Sequence, residues 1–420
     1  MRVMFVVLPE KTHLYYAVPI ASAVRTAGHD VCVATTPTLT DVVTRAGLTA
    51  APVGSDPEIH EAMLKHHESQ LHEFSDWNDV SSENLDWESE RQRYRIGVFQ
   101  GFGGYNDSMV EGLVEFARGW QPDLVIWDAL AYAAPVAARA VGAAHGRIMF
   151  WADVWGKARQ RFLALRAQAP DERVEDPMAE WLGEWARKFG GEFAEEMVTG
   201  QWTIDTLPES LGPGTGLPRV PVRYVPYNGP AVVSDWLREP PTRTRVALTL
   251  GITNPERFGG DYVPLSEILD SLGDLDIEVV ATLAPASRAV LGPVPDNIRV
   301  VESVALHTLL PSCAALVNHG GFGTYSTALV HGVPQLVVTT TIGDHVFRAK
   351  GLQERGAGLW LRYDEVTGPV LRDRLVTLLS DPSYAENARK LQAEALAHPS
   401  PNDIVPTLEG LVADHQARMS

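Results

Sequence analysis

Cysteine is scarce: the 420 residues hold two, Cys32 and Cys313. They stand far apart, each beside an apolar run, in Val31-Cys32-Val33 and Cys313-Ala314-Ala315. Neither has metal-ligand spacing, so buried free thiols in a reducing cytoplasm are the expected state. Basic residues are also short, with 35 Lys and Arg against 53 Asp and Glu and a formal net charge of -18. That balance excludes a whole-chain basic surface for nucleic acid or an anionic membrane. An anionic ligand would therefore need a local set of donors, because the global field repels it. Long apolar runs are missing too. No window of about 18 apolar residues exists, so no membrane-spanning helix is expected. The alanine-rich stretch 129–144 contains Pro135 and Arg139 and reads as a soluble helix. Residues 1–8 are apolar after Arg2 but too short for a signal-peptide core, and they lack a cleavage site. No short-period repeat is evident.

Hydrophobic residues make up 45% and charged residues 21%, as in a globular protein with sizeable cores. The length predicts about two to three domains. Arg2 to Leu8 is a continuous apolar run, the pattern of a strand buried on both faces. A loop with His13 follows, then helical spacing from Tyr15 to Ala27 ended by Gly28, then a strand Asp30–Thr35. Helix 38–46 and strand 48–53 continue an alternation that means βαβ units and a parallel sheet.

Residues 54–106 break this rhythm and read as a solvated or partner-facing insertion, with Trp77 and Trp87 as candidates to line a pocket or anchor a partner. Its histidines, among them His60, His66, His67 and His72, form no closed ligand set. Gly101-Phe102-Gly103-Gly104 reads as a flexible loop over a pocket. The alternation resumes with helix 107–119, strand 122–128, helix 131–141, strand 145–150, helices over 153–200 and strand 201–205. Pro226, Gly229, Pro230, Pro240 and Pro241 mark an interdomain connection.

A second half then repeats the pattern, with strands at 245–250, 277–283, 298–301, 314–317 and 335–340. Helices are expected at 263–272, 307–310, from Asp344 toward Gly356, and at 367–380, 383–397 and 403–418. The expected division is an N-terminal Rossmann-like domain 1–228 and a linker 229–244. A C-terminal Rossmann-like domain 245–400 follows, and then a last helix in 401–420 that is a candidate to pack back on the first domain.

The most informative stretch is Val317-Asn318-His319-Gly320-Gly321-Phe322-Gly323-Thr324. It joins the apolar run 314–317 to a helix start, so it is a strand, a tight turn and a helix. Such a turn presents the unpaired N–H groups of the first helical turn, and the helix dipole adds partial positive charge. That is an anion site, most often for phosphate. Glycine lets the backbone approach the anion, and Thr324 and His319 add further donors. A plain connecting turn is the alternative. The stretch is neither the dinucleotide fingerprint nor the Gly-Lys-Ser/Thr nucleotide loop.

In open α/β sheets ligands sit beyond the carboxyl ends of the strands. His13, Asp128, Thr253, His319 and Asp344 all fall at such ends. His13 is a candidate base for a hydroxyl proton, with Asp128 as its orienting carboxylate. A capping or structural histidine is the alternative, and 115 residues separate the pair. Asp274-Leu275-Asp276 has the spacing of a metal-binding carboxylate pair, but it lies at the opposite side of the sheet and reads better as acidic turn residues.

Taken together, the N-terminal pattern with His13 and Ala27-Gly28-His29-Asp30-Val31 resembles bacterial antibiotic glycosyltransferases of the GT-B fold, α/β proteins of two facing Rossmann-like domains with an interdomain cleft. So does the block 309–358, with His319-Gly320-Gly321-Phe322-Gly323-Thr324, Gly332-Val333-Pro334-Gln335 and Asp344. The resemblance covers essentially the whole chain. Glu10-Lys11-Thr12-His13, the insertion 54–106, Tyr105-Asn106-Asp107 and Thr203-Ile204-Asp205-Thr206-Leu207-Pro208 are most similar to the deoxysugar transferases of macrolide and anthracycline biosynthesis.

The resemblance implies a dTDP-deoxysugar donor whose diphosphate lies on residues 319–324 near Thr253, with the base beside Ser303 and Val304. Asp344 and His345 stand where the wider family often carries an Asp-Gln pair for sugar hydroxyls. The histidine in place of glutamine fits a donor lacking some hydroxyls. It implies His13 as base, assisted by Asp128, inversion at the anomeric carbon, no metal and a polyketide aglycone as acceptor. Transfer to carbon or to another small hydrophobic acceptor, and a nucleotide-sugar-binding activator partner without activity, are the alternatives. A haem-monooxygenase-like activator protein and a homodimer are the candidate protein partners.

Overall fold

The structure is a computed structural model and describes residues 1–57, 86–169, 175–250, 263–289 and 291–419. Among the described residues thirteen short strands form two sheets. The first holds β1 (Arg2–Val6), β2 (Asp30–Thr35), β3 (Ala50–Pro52), β4 (Leu124–Asp128), β5 (Ala144–Ile148), β6 (Thr203–Asp205) and β7 (Arg219–Pro221). The second holds β8 (Thr244–Thr249), β9 (Ile277–Thr282), β10 (Ile298–Val301), β11 (Ala315–Asn318), β12 (Gln335–Thr339) and β13 (Gly358–Arg362). Their orders are β3-β2-β1-β4-β5-β6-β7 and β10-β9-β8-β11-β12-β13. All pairings are parallel. The apolar runs follow from this: every residue of β4 and of β12 is buried, as a strand covered by helices on both faces requires.

Both sheets reverse their strand order once, between β1 and β4 and between β8 and β11. At such a switch point the connecting loops leave in opposite directions and open a crevice beyond the carboxyl ends. Register pairs Val6 with Trp127 in the first sheet and Asn318 with Thr249 in the second. The loop carrying His13 and the strand ending in Asp128 therefore meet at one crevice. The turn after β11 stands at the other.

Several elements differ from the sequence reading. Gly101-Phe102-Gly103-Gly104 is helical rather than a loop. A π-helical stretch Gly97–Phe102 leads from helix Trp87–Ile96 into helix Gly103–Trp120. The described end of the 54–106 segment is also less solvated than expected. Glu90, Tyr94 and Val98 are buried there, and Tyr94 stacks between Trp155 and Phe162 at 4.8 and 4.2 Å. The charged neighbours along the helix mask this stripe in the composition, and Glu90 within it is paired with Arg161 at 2.8 Å. His60, His66, His67, His72 and Trp77 lie outside the described residues. Strands β7 and β13 are not evident in the sequence pattern; β13 follows directly on a glycine turn and opens on Gly358.

The last helix, Val405–Met419, lies against β5 and buries Leu408 and Val412 in the core of the first sheet. His29 Nε2 meets Glu409 at 3.0 Å, and His415 bridges Gln201 and the Gly142 carbonyl. No helix among the described residues is long and apolar enough to cross a membrane.

Candidate active site

His13 sits near the start of the short helix Lys11–Tyr15 that follows β1, and Asp128 ends β4. The imidazole Nδ1 is hydrogen-bonded to Asp128 Oδ2. Asp128 is fully buried, and its other oxygen accepts from the Leu130 N–H at 2.8 Å. The carboxylate is thus held from both sides, and it fixes the imidazole with its proton on Nδ1 and Nε2 free to accept one. Phe150 lies against the imidazole face, with centroids 4.4 Å apart, and stacks on Tyr16 and Trp151. The Tyr16 phenol beside the pair is pushed well above its usual range by burial and then by the Asp128 charge, so it stays protonated.

Across the cleft, Asn318 ends β11 and ties the turn down. Its side-chain oxygen accepts from the Gly320 N–H at 2.8 Å, while its amide donates to Gln335, which in turn donates to the Tyr325 carbonyl. Gly320 has φ +87°, the left-handed region where a side chain is strained. A Cβ on Gly321 would stand 2.4 Å from His319 Nε2, so the imidazole folds over the backbone and only glycine leaves room. Gly321 is the N-cap residue of helix Phe322–His331 and has no side chain of its own to offer the first-turn N–H groups. Those are the donors that an anion site needs. Gly323 is exposed and Thr324 half-buried at the same end. The Phe322 side chain, by contrast, is buried against Tyr224 and Arg348, which leaves its backbone to serve the turn.

Ser303 is exposed and Val304 half-buried after β10, on the same edge of the sheet as the turn. Thr253 lies outside the described residues. His345 begins helix His345–Glu354, its ring perpendicular to that of His319 with centroids 6.4 Å apart. Neither Nδ1 finds a hydrogen-bond partner among the described residues. Burial drives the His319 imidazole down to about 4 and the Arg348 charge adds to this, while a backbone hydrogen bond at Thr249 works the other way. His345 is lowered further, by burial first and then by Arg348 and His319. Both are neutral at ordinary pH.

Asp344 is 1% exposed. Its carboxylate accepts from Arg348 Nε at 2.5 Å and Nη2 at 2.8 Å, and from the Ala152 N–H of the other half at 2.6 Å. The segment 150–152 thus touches both faces: Phe150 on His13, Trp151 3.5 Å from where a Gly343 Cβ would stand, Ala152 on Asp344. The sequence reading missed Arg348, although its spacing of four from Asp344 on a helix is a readable signal.

Asp274 and Asp276 pair with Arg372 and Arg243, as turn residues do. Among the described residues no group of three or more His, Cys, Asp or Glu could hold a metal ion.

An oriented base facing a helix-end anion site can deprotonate an acceptor while a phosphate leaves, and comparison with known proteins bears on that chemistry. The model of the erythromycin biosynthesis protein CIII-like N-terminal domain matches residues 22–251, and that of the C-terminal domain matches 266–411. The chain is 46% identical to a 10-deoxymethynolide desosaminyltransferase of Streptomyces venezuelae, covering 99% of this chain and 98% of that protein. It is 44% identical to an aklavinone 7-beta-L-rhodosaminyltransferase of Streptomyces galilaeus, covering 100% and 97%. The solved structure of the glycosyltransferase VinC in complex with dTDP superimposes with a TM-score of 0.89 at 39% identity, over 99% of this chain and 100% of that one. The fold is thus the two-domain GT-B fold of antibiotic glycosyltransferases. Matched by both domain models and alike over its full length to deoxysugar transferases, the chain belongs to the erythromycin biosynthesis protein CIII-like family of glycosyltransferases.

Proposed function

We propose that the protein transfers a deoxysugar from a dTDP-sugar to a hydroxyl of a polyketide-type aglycone, macrolide or anthracycline, with inversion and without a metal. The observation that carries this reading is the oriented His13–Asp128 pair on one face of a cleft whose other face is the uncapped helix end at Gly321. His13 Nε2 takes the acceptor proton, and Asp128 stabilises the imidazolium that forms. The acceptor oxygen attacks the anomeric carbon from the side opposite the diphosphate. Charge growing on the leaving oxygen falls on N–H groups of the turn 319–324 that are already oriented, which lowers the barrier without reorganisation. Residues 1–228 hold the acceptor in this scheme, and 245–400 the donor, with Thr253, Ser303 and Val304 beside the nucleotide.

A cytoplasmic setting fits the free thiols Cys32 and Cys313. A haem-monooxygenase-like activator is a proposal motivated by the polar stretch 54–106, and a homodimer is a further proposal. Turnover with and without such an activator tests the first, and full activity alone sinks it; sedimentation tests the second. The experiment that tests the main reading presents the purified protein with dTDP-deoxysugars and a panel of aglycones and follows glycosides by mass spectrometry. Glycoside formed by the wild type and lost in His13→Ala, with dTDP still bound, is the expected result. Equal activity in the variant would remove His13 from the mechanism.

A further inference from the structure

A carboxylate that reads sugar hydroxyls needs free lone pairs and an open face. Asp344 has neither. Arg348 and the Ala152 N–H take both positions on Oδ2 and one on Oδ1, and 1% of the residue is exposed. Arg348 is equally fixed. It is 1% exposed, its guanidinium lies 4.8 Å from the Tyr325 ring centroid and 5.5 Å from that of Phe322, and its fork meets the carboxylate through two nitrogens. A planar, bidentate, aromatic-packed guanidinium is held in one geometry, unlike a surface lysine. The pair is therefore built into the wall of the cleft between helix Phe322–His331, helix His345–Glu354 and the segment 150–152.

We propose that Arg348 is a specificity-determining residue of the donor site: by holding Asp344 in a buried pair tied to Ala152, it withdraws the carboxylate from the sugar. This rests on the donor reading given above. A sugar hydroxyl facing the pair meets no exposed acceptor or donor of it, since Asp344 is buried and the one Arg348 nitrogen without a hydrogen-bond partner among the described residues, Nη1, is buried as well, so the hydroxyl loses its water without a replacement. A sugar lacking that hydroxyl loses nothing. The wall thus favours donors deoxygenated where they meet Asp344. Arg348 acts through Asp344 and touches no reacting atom.

Isothermal titration of the full-length protein with dTDP and with dTDP-glucose tests this. Expected for the wild type is a dissociation constant for dTDP-glucose within about threefold of that for dTDP, since the hydroxyls add little. Arg348→Gln removes the fork and frees the carboxylate, so dTDP-glucose should then bind about tenfold tighter than dTDP, a difference of one added charged hydrogen bond. The double variant with Asp344→Asn should lose that gain. A wild type that binds dTDP-glucose tenfold or more tighter than dTDP, with the preference lost in Asp344→Asn, overturns the proposal; so does a folded Arg348→Gln with no gain. Where circular dichroism shows Arg348→Gln unfolded, the wild-type ratio and Asp344→Asn decide. A wild type that binds neither ligand overturns the donor reading and this proposal with it, which separates the two failures.

Discussion

In the N-terminal half a buried carboxylate, Asp128, engages a histidine. In the C-terminal half Asp344 is held by Arg348, and the Nδ1 atoms of two histidines nearby have no hydrogen-bond partner among the described residues. The same residue types are thus wired oppositely on the two faces of one cleft. Beside Asp128 the imidazole has an anion at Nδ1, which stabilises the charged form that a base must pass through. His319 and His345 are held neutral by burial first, and the Arg348 cation adds to this. Neutral rings beside a helix end can hydrogen-bond an anion without competing for protons.

The widest break in this comparison comes from removing the base. His13→Ala and Asp128→Asn should each lower kcat for transfer by roughly 10²–10⁴-fold, the range for a positioned base, with dTDP affinity unchanged. Steady-state kinetics and dTDP titration read both halves of that statement. On the other face the pattern should invert. Gly321→Val places a side chain where His319 Nε2 stands, and His319→Ala removes a donor. Both should weaken dTDP binding, by about 10- to 100-fold for the valine. Unchanged affinity in both would take the phosphate off this turn.

A finer test loosens the histidine without touching its charge partner. Phe150→Ala removes the ring against the His13 imidazole and should lower kcat about fivefold with a smaller change in dTDP affinity, because the imidazole gains freedom. The smallest effect concerns pH. The folded His319 titrates near 4 and an unfolded histidine near 6.5, so between these values the unfolded chain binds more protons. His319 therefore favours the folded state fully above about pH 6.5, and this is lost as pH falls toward 4. Other buried histidines share the direction, among them His145 and His345. The contrast is thus between variants: the fall in Tm from pH 7 to 5 should be smaller in His319→Gln than in the wild type.

Legibility followed locality. Strands Asp30–Thr35 and Ile298–Val301 stand in the structure with the boundaries the sequence pattern predicts; the first is buried from Val31 onward, as a strand covered on both faces is, and the second is an edge strand buried only at Ile298. The Gly320-Gly321 turn was readable because its backbone conformation and its close approach to His319 are local demands that glycine meets. The helix at Gly101–Gly104 was not readable, since glycine punctuation outweighs helical spacing until Phe102 packs against Tyr132 and Trp155. The described part of the polar segment hides its buried stripe among charges in the same way.

The sequence by itself determined two parallel α/β halves, the helix end that can take an anion, and a histidine and an aspartate at carboxyl ends of strands. These follow from periodicity and chain sterics, which act over a few residues. The tertiary structure alone decided which carboxylate each histidine would meet. His13 reaches Asp128 across 115 residues because β1 and β4 are neighbours at the switch point. Asp344 reaches Ala152 across 192 residues because the two halves close on each other. Hydrogen bonds and charge pairs depend on distances of a few ångströms, and only the pairing of strands and the docking of domains sets those.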